Sequence, residues 1–300
     1  MRAALLLVLS FVLSGCVAPI DPSSDETPIV FDAQAVASAR SVVIATPGAL
    51  TSISVLRDLD RFASPDRAVV YYRLPGLDGR ARSGRVDIER AATTLTDFVA
   101  HHEFEQVYFV GFSTGNAINL EAAKILAVSQ SDVRSTIAGI STALPAPQPT
   151  LAGARGFAGN VAAAARVGSL NRRDIWLEYY KTLLFGPPDG QPATVRKSAE
   201  TLTAANAPRI VVPDAALARS HASALIGWTN SEPERLKDID IVLFHGARDP
   251  VFPLRAVVRF AEGLPRPATV VSYDNNGHLL LITQPRIFDH MFAFFEQVAP

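Results

Sequence analysis

Ser113, Asp249 and His278 are the residues whose types, order and surroundings fit nucleophilic chemistry in this 300-residue chain. Serine is a weak nucleophile at neutral pH. It needs a base to take its proton, and an imidazole base needs a carboxylate to fix its tautomer and stabilise the imidazolium. Ser113 stands in Gly111-Phe112-Ser113-Thr114-Gly115, where an apolar run stops and a helical pattern through Ala117, Leu120, Ala123 and Ile125 begins. Strand, G-x-S-x-G, helix is the layout of a sharp turn that lifts a serine hydroxyl above a sheet edge. The flanking glycines answer a steric need, because a β-carbon there would meet the neighbouring strand and helix. The bare pattern also fits an ordinary strand-to-helix turn with a serine N-cap. Asp249 follows the apolar run 238–246 within His245-Gly246-Ala247-Arg248-Asp249-Pro250-Val251, and Asn276-Gly277-His278 follows the run 268–274. Taken singly, Asp249-Pro250 reads as a turn and His278 as a loop residue capping a helix. Together, in the order Ser, Asp, His and each beyond a strand's C-terminal end, they fall on one sheet edge, where α/β sheets place ligands.

The other histidines read differently. His245 ends a strand, and its place beside Gly246 and before Asp249 favours a structural loop role over that of base. His221 can reach the site only if the segment around it folds over the sheet edge. His101 and His102 sit at a predicted helix C-terminus, where a cationic imidazole suits the dipole. The chain has neither H-E-x-x-H nor a cysteine cluster, and no dinucleotide fingerprint follows the early strands. Neither a metal nor a cofactor is expected.

Elements able to hold these residues alternate along the chain. Strands are predicted over 41–47, 67–76, the run ending at the serine turn, 133–142, 238–246 and 268–274. Helices are predicted around Ile53, Leu56 and Leu59, over 87–102, after Ser113, and from 285 to 298. Strands joined by helices imply a mostly parallel sheet covered on both faces, and continuous rather than alternating apolar strands agree. Thr142-Ala143-Leu144-Pro145-Ala146-Pro147-Gln148-Pro149 then forms a proline-rich exit. About 90 residues of helix and loop precede the next strand, with helices expected over 157–168, 171–185, 194–205 and 214–226. Their position between strands favours a lid over the site, against a peripheral helical subdomain. Trp176, Tyr179, Tyr180, Leu184 and Phe185 either line an apolar pocket or form that insertion's own core. The division expected is core at 41–143 and 237–300 with a helical cap at 144–236.

The N-terminus addresses location. Met1-Arg2, the apolar stretch 3–13 and Ser14-Gly15-Cys16 describe a secretory signal over 1–15, too short for a span of about 20 apolar residues. Leu13-Ser14-Gly15-Cys16 resembles the lipobox of bacterial lipoproteins. The resemblance implies cleavage before Cys16 and its acylation, two or more chains giving a stable anchor. Cys16 is the one cysteine and has no internal disulfide partner, which favours lipidation over an incidental buried thiol. The segment 16–40, polar and bearing Pro19, Pro22 and Pro28, reads as a tether. With Val17 and Ala18 after the cysteine, the lipoprotein resemblance implies the cell envelope, on the outer membrane of a Gram-negative cell. A net charge of −1 without a lysine or arginine run argues against a nucleic-acid partner.

From about residue 41 to 299 the chain resembles the α/β-hydrolase superfamily. GFSTG matches its elbow, GARDPV its acid loop and NNGH its histidine loop. The three motifs together are specific to the superfamily and to no single member. The resemblance implies Ser113 as nucleophile, Asp249 as orienting acid and His278 as general base. It also implies an oxyanion hole from the N–H of Thr114 and one from the loop 48–50, with Ala49 first and Gly48 next. Many relatives carry His-Gly where this chain has Pro47-Gly48, and a second glycine where it has Asn116. The function expected is carboxylic ester hydrolysis, with a hydrophobic acyl chain, on a membrane-tethered protein. An amidase, peptidase or thioesterase would use the same triad. From another class, a non-catalytic lipoprotein of this fold would bind a ligand or partner, although such a protein has no chemical need of all three residues.

Overall fold

The computed structural model describes residues 27–82 and 84–298. Seven strands form one sheet: β1 (Ile29–Val30), β2 (Ser41–Thr46), β3 (Arg67–Tyr72), β4 (Gln106–Phe112), β5 (Arg134–Ile140), β6 (Asp240–Gly246) and β7 (Thr269–Tyr273). Their spatial order is β1-β3-β2-β4-β5-β6-β7. Every pairing is parallel except β1 with β3. The chain steps from β2 out to β3 and returns to the other side of β2 as β4. That reversal opens a crevice beyond the C-terminal ends of β2 and β4, the switch point at which such sheets bind ligands.

Helices cover both faces, as continuous apolar strands require. Val42 and Ile44 of β2 point into one core with Phe109 of β4, the helix α2 (Ile88–His102) and the helix α3 (Thr114–Ser129). Val43 and Ala45 point into the other, with Val110, the 3-10 helix Ile53–Phe62 and the C-terminal helix Ile287–Val298. Each buried aliphatic or aromatic side chain stabilises the sandwich by roughly 1.5–3 kcal/mol. The helix expected around Ile53 is thus 3-10, and the strand expected over 67–76 ends at Tyr72.

Part of the expected tether is folded. Within 16–40, residues 29–30 form the antiparallel edge strand, and α1 (Ala33–Ser38) follows, its N-cap Asp32 accepting from the amides of Gln34 and Ala35. Arg73 binds this segment through its own N–H to Pro28 O at 2.7 Å and its guanidinium to Thr27 O. A two-residue strand and a six-residue helix leave too little periodicity to read. The signal at 1–15, Cys16 and the tether up to residue 26 lie outside the described residues.

Between β5 and β6 stand α4 (Gln148–Val167), α5 (Arg172–Phe185), α6 (Ala193–Asn206) and α7 (Ala215–Ala222). α4 starts nine residues before the expected 157. Pro149 lies in its first turn, where a missing N–H costs nothing, so the prolines that looked like loop open the helix instead. α8 (Leu254–Glu262) follows β6, and after β7 come α9 (Leu280–Thr283) and α10 (Ile287–Val298).

Candidate active site

β4 ends at Phe112 and α3 begins at Thr114, so Ser113 alone makes the turn. It does so at φ 50° and ψ −118°. A non-glycine residue there stores on the order of 1–3 kcal/mol, which the surroundings must impose. Three hydrogen bonds do so: Ser113 N–H to Ile140 O at 2.9 Å, and the Ser113 carbonyl accepting from Asn116 N (3.0 Å) and Ala143 N (3.2 Å). The glycines leave the necessary room. A β-carbon on Gly111 would lie 2.5 Å from Asn116 Cα, and one on Gly115 2.1 Å from Thr46 O. These are the helix and strand clashes that the pentapeptide implied. Asn116, in place of a second glycine, seats its amide over Gly139 and donates to Thr142 Oγ1 at 2.5 Å. Ser113 makes no capping bond to α3, which separates it from an ordinary N-cap serine. Its Oγ instead lies 3.1 Å from His278 Nε2.

The other two residues arrive on loops beyond β6 and β7. Asp249 Oδ1 accepts from the amides of Val251 (2.7 Å) and Phe252 (3.0 Å), which leaves Oδ2 to meet His278 Nδ1 at 2.7 Å. A proton on Nδ1 therefore faces the carboxylate, and the bare Nε2 lone pair faces Ser113. Burial alone would raise the Asp249 pKa. The charge of His278 and its hydrogen bond, then His245 and the Phe252 amide, outweigh it and hold the carboxyl below its ordinary value. Backbone packing fixes the histidine loop. Gly277 N–H donates to Leu184 O at 2.8 Å and Leu279 N–H to Leu183 O at 2.9 Å, both carbonyls at the end of α5. Gly246 lets the acid and histidine loops touch, since a β-carbon on it would lie 2.2 Å from Gly277 O.

His245 is fully buried, its Nε2 2.8 Å from Phe252 O and 3.4 Å from Asp249 Oδ2. Burial lowers its pKa against the attraction of Asp249, so the ring stays neutral. It braces the acid loop and lies behind the carboxylate, away from Ser113's side of His278. His101 and His102 stand in the last turn of α2. His102 packs among Phe31, Phe98 and Phe104, and burial, then His101, lowers its pKa, so the cationic form expected at this helix end is disfavoured at His102.

On the opposite side of Ser113 lies the loop after β2. A β-carbon on Gly48 would fall 2.9 Å from Ser113 Cβ and 2.7 Å from Phe112 Cδ1, so its backbone abuts the elbow. Among the described residues no hydrogen-bond partner is found for Ala49 N–H. Thr114 N–H, the first amide of α3, has no intrahelical carbonyl to bond. The next amide in the loop is already taken: Leu50 N–H donates to His221 Nδ1 at 3.1 Å. Among the residues of 48–50 and 114, the amides of Gly48, Ala49 and Thr114 are thus left without a partner among the described residues and open to a developing oxyanion.

A cleft of about 100 Å³ runs from Ala49 and Leu50 past Phe112 and His278 to Leu279 and Ile282. Trp176, Tyr180 and Leu183 of α5 and Ile210 beyond α6 roof it, so the insertion touches the site directly. Of the five insertion residues singled out in the sequence, Trp176 and Tyr180 line this cleft. Leu184 is wholly buried and Phe185 packs on the core, while Tyr179 faces a separate groove beside Arg155 and Arg248. Leu183, which the sequence did not single out, lies one turn from Tyr179 and Tyr180 on the same helix. Its helical spacing from Trp176 and Tyr180 was the available signal.

Solved structures share this fold. An esterase from Exiguobacterium antarcticum superposes with a TM-score of 0.60 at 13% identity, over 90% of this chain and 94% of that one. A carboxylesterase structure from the ammonia-oxidizing thaumarchaeon Nitrososphaera gargenis gives 0.68 at 14% identity, over 93% and 98%. A thermophilic esterase from Thermogutta terrifontis gives 0.66 at 14%, over 94% and 100%. At these identities the likeness is one of fold. No curated protein matches the sequence. The model of the alpha/beta hydrolase family, in contrast, matches residues 42–289, spanning all six parallel strands, the elbow and both downstream loops. The chain belongs to the alpha/beta hydrolase family.

Proposed function

We propose that the protein is a serine hydrolase that cleaves carboxylic esters of short apolar acids through an acyl-enzyme on Ser113. The observation that carries this reading is the continuous chain Ser113 Oγ–His278 Nε2 (3.1 Å), His278 Nδ1–Asp249 Oδ2 (2.7 Å), with the serine at a strained elbow. His278 takes the hydroxyl proton as Oγ attacks the ester carbonyl, and Asp249 stabilises the imidazolium. The amides of Thr114 and Ala49 receive the oxyanion, and such preorganised donors supply the largest single share of rate enhancement in many enzymes. The imidazolium then protonates the leaving alcohol, and the same histidine activates water to release the acid.

The apolar walls and modest volume of the cleft support a short acyl group. An engineered cavity of about 150 Å³ admits benzene, so about 100 Å³ with apolar walls suits an acyl group of roughly four carbons. Labelling by a fluorophosphonate probe, lost in Ser113→Ala, is the expected result. With p-nitrophenyl esters, kcat/KM should peak near butyrate. A folded wild type that stays unlabelled would overturn the proposal in favour of a binding protein; matching thioester or amide panels decide the leaving group.

The proposal includes attachment to a bacterial membrane through acylated Cys16, on the strength of Leu13-Ser14-Gly15-Cys16 and the signal-like run before it. Cys16→Ser should abolish incorporation of a fatty-acid probe and leave the precursor uncleaved. Unchanged labelling of that variant would dispose of the anchor.

A further inference from the structure

We infer that His221, carried by the insertion, is the positioning residue of the oxyanion loop. The inference rests on the serine-hydrolase reading above, because a loop is an oxyanion hole only if Ser113 attacks a carbonyl. Pro47, which leads into this loop, has no N–H and no polar side chain with which to hold it. His221 reaches it from across the molecule. Its Nδ1 accepts Leu50 N–H at 3.1 Å, and its Nε2 lies 2.9 Å from the Pro75 carbonyl, to which it donates. The ring is 1% exposed, and burial lowers its pKa, so the Nδ1 lone pair stays available. Leu50 sits at φ 59°, a conformation a leucine holds only under constraint. Fixing the Leu50 amide fixes the peptide plane that joins Ala49 to Leu50, and Ala49 lines the cleft.

The helix that presents His221 is stitched to the core. Asp214, its N-cap, pairs with Arg82 at 2.7 Å; Val86 N–H donates to Ser220 O at 3.3 Å; and Ser220 Oγ donates to Gly84 O. Leu217 packs where a β-carbon on Gly76 would otherwise lie. α7 is therefore a fixed bracket, and His221 acts on catalysis through Leu50 without touching the substrate.

Two substitutions separate this role from mere packing. His221→Asn keeps an acceptor near the Nδ1 position, while His221→Leu keeps volume and loses the acceptor. With a fluorophosphonate, His221→Leu should lower the maximal inactivation rate about 10- to 100-fold with the probe's binding constant little changed, a fraction of what losing an oxyanion donor costs. His221→Asn should stay within about fivefold of wild type. Hydrogen exchange of the Leu50 amide should be slow in wild type and His221→Asn and fast in His221→Leu. A His221→Leu rate equal to wild type, or a His221→Asn as slow as His221→Leu, would overturn the inference. Should His221→Leu not fold, the Leu50 amide and the His221 ring nitrogens in wild type decide it. Fast exchange, or a ring protonated on Nδ1 at neutral pH, would reject the latch. A wild type that fails to label refutes the hydrolase reading itself, a result distinct from either.

Discussion

Asp249 shows how one carboxylate can be divided between two tasks. Oδ1 is committed to the Val251 and Phe252 amides, so the loop holds the acid whether or not His278 is present, and Oδ2 is left to choose the histidine tautomer. Asp249→Asn separates the two. The amide oxygen can keep both backbone bonds, while its NH2 would face His278 Nδ1 and favour the proton on Nε2, the wrong nitrogen for a base. Turnover should fall about 10³- to 10⁴-fold with the melting temperature little changed. A rate within tenfold of wild type would mean another carboxylate orients His278. His245, 3.4 Å from the same oxygen, is neutral or cationic and never anionic, so it cannot replace the lost carboxylate charge.

At the scale of elements, the insertion does more than cover the site. The end of α5 supplies the two carbonyls that hold the histidine loop, and α7 supplies His221. Close approach is the requirement, and Gly277 meets it: a β-carbon there would lie 2.5 Å from Leu183 O and 3.0 Å from Gly186 N. Gly277→Ala should therefore cost about 1–3 kcal/mol and reduce turnover through a displaced His278. Gly153, in α4 with open space around its would-be β-carbon, is the control, and Gly153→Ala should stabilise by about 0.5–1 kcal/mol. Thermal unfolding and ester turnover of both variants check this. A Gly277→Ala protein with wild-type stability and rate would show that the α5 contact is slack. The insertion meets the site through Trp176, Tyr180 and Leu183. That the same segment also braces the catalytic loops was not legible, because the carbonyls of Leu183 and Leu184 carry no side-chain signal.

For the molecule as a whole, three buried groups tie stability to pH in the same direction. His221 and His245 have folded pKa values below their ordinary 6.5, chiefly through burial. Their contribution is complete above about 6.5 and is lost as pH falls through the folded values. Asp249, held below 3.8 in the fold, contributes fully above that value and loses its contribution as pH falls further. The melting temperature should be level from pH 7 to 8, decline below about 6.5, and drop more steeply below 4. Calorimetry across pH 3.5 to 8 tests it; a melting temperature that rises between pH 7 and 5 would contradict the burial of these histidines.

The sequence by itself determined the parallel sheet and the three loops at its edge. Apolar runs buried on both faces, glycines forced by contact, and the order Ser113, Asp249, His278 are local or one-dimensional signals, each visible in consecutive residues. The family resemblance, rather than any spacing, put forward the amides of Ala49, Gly48 and Thr114 as oxyanion donors. What only the tertiary structure decided depends on pairings distant in the chain. The edge strand 29–30 exists because β3 offers it a partner, and 53–62, its Ile53, Leu56 and Leu59 buried, is 3-10 rather than α. The division of the α5 aromatics between cleft and core follows from how the helix is rotated on its neighbours. His221 and Leu50 stand 171 residues apart, and only the folded insertion brings the ring to the amide. Periodicity records which face of an element is buried; it does not record what that face is buried against.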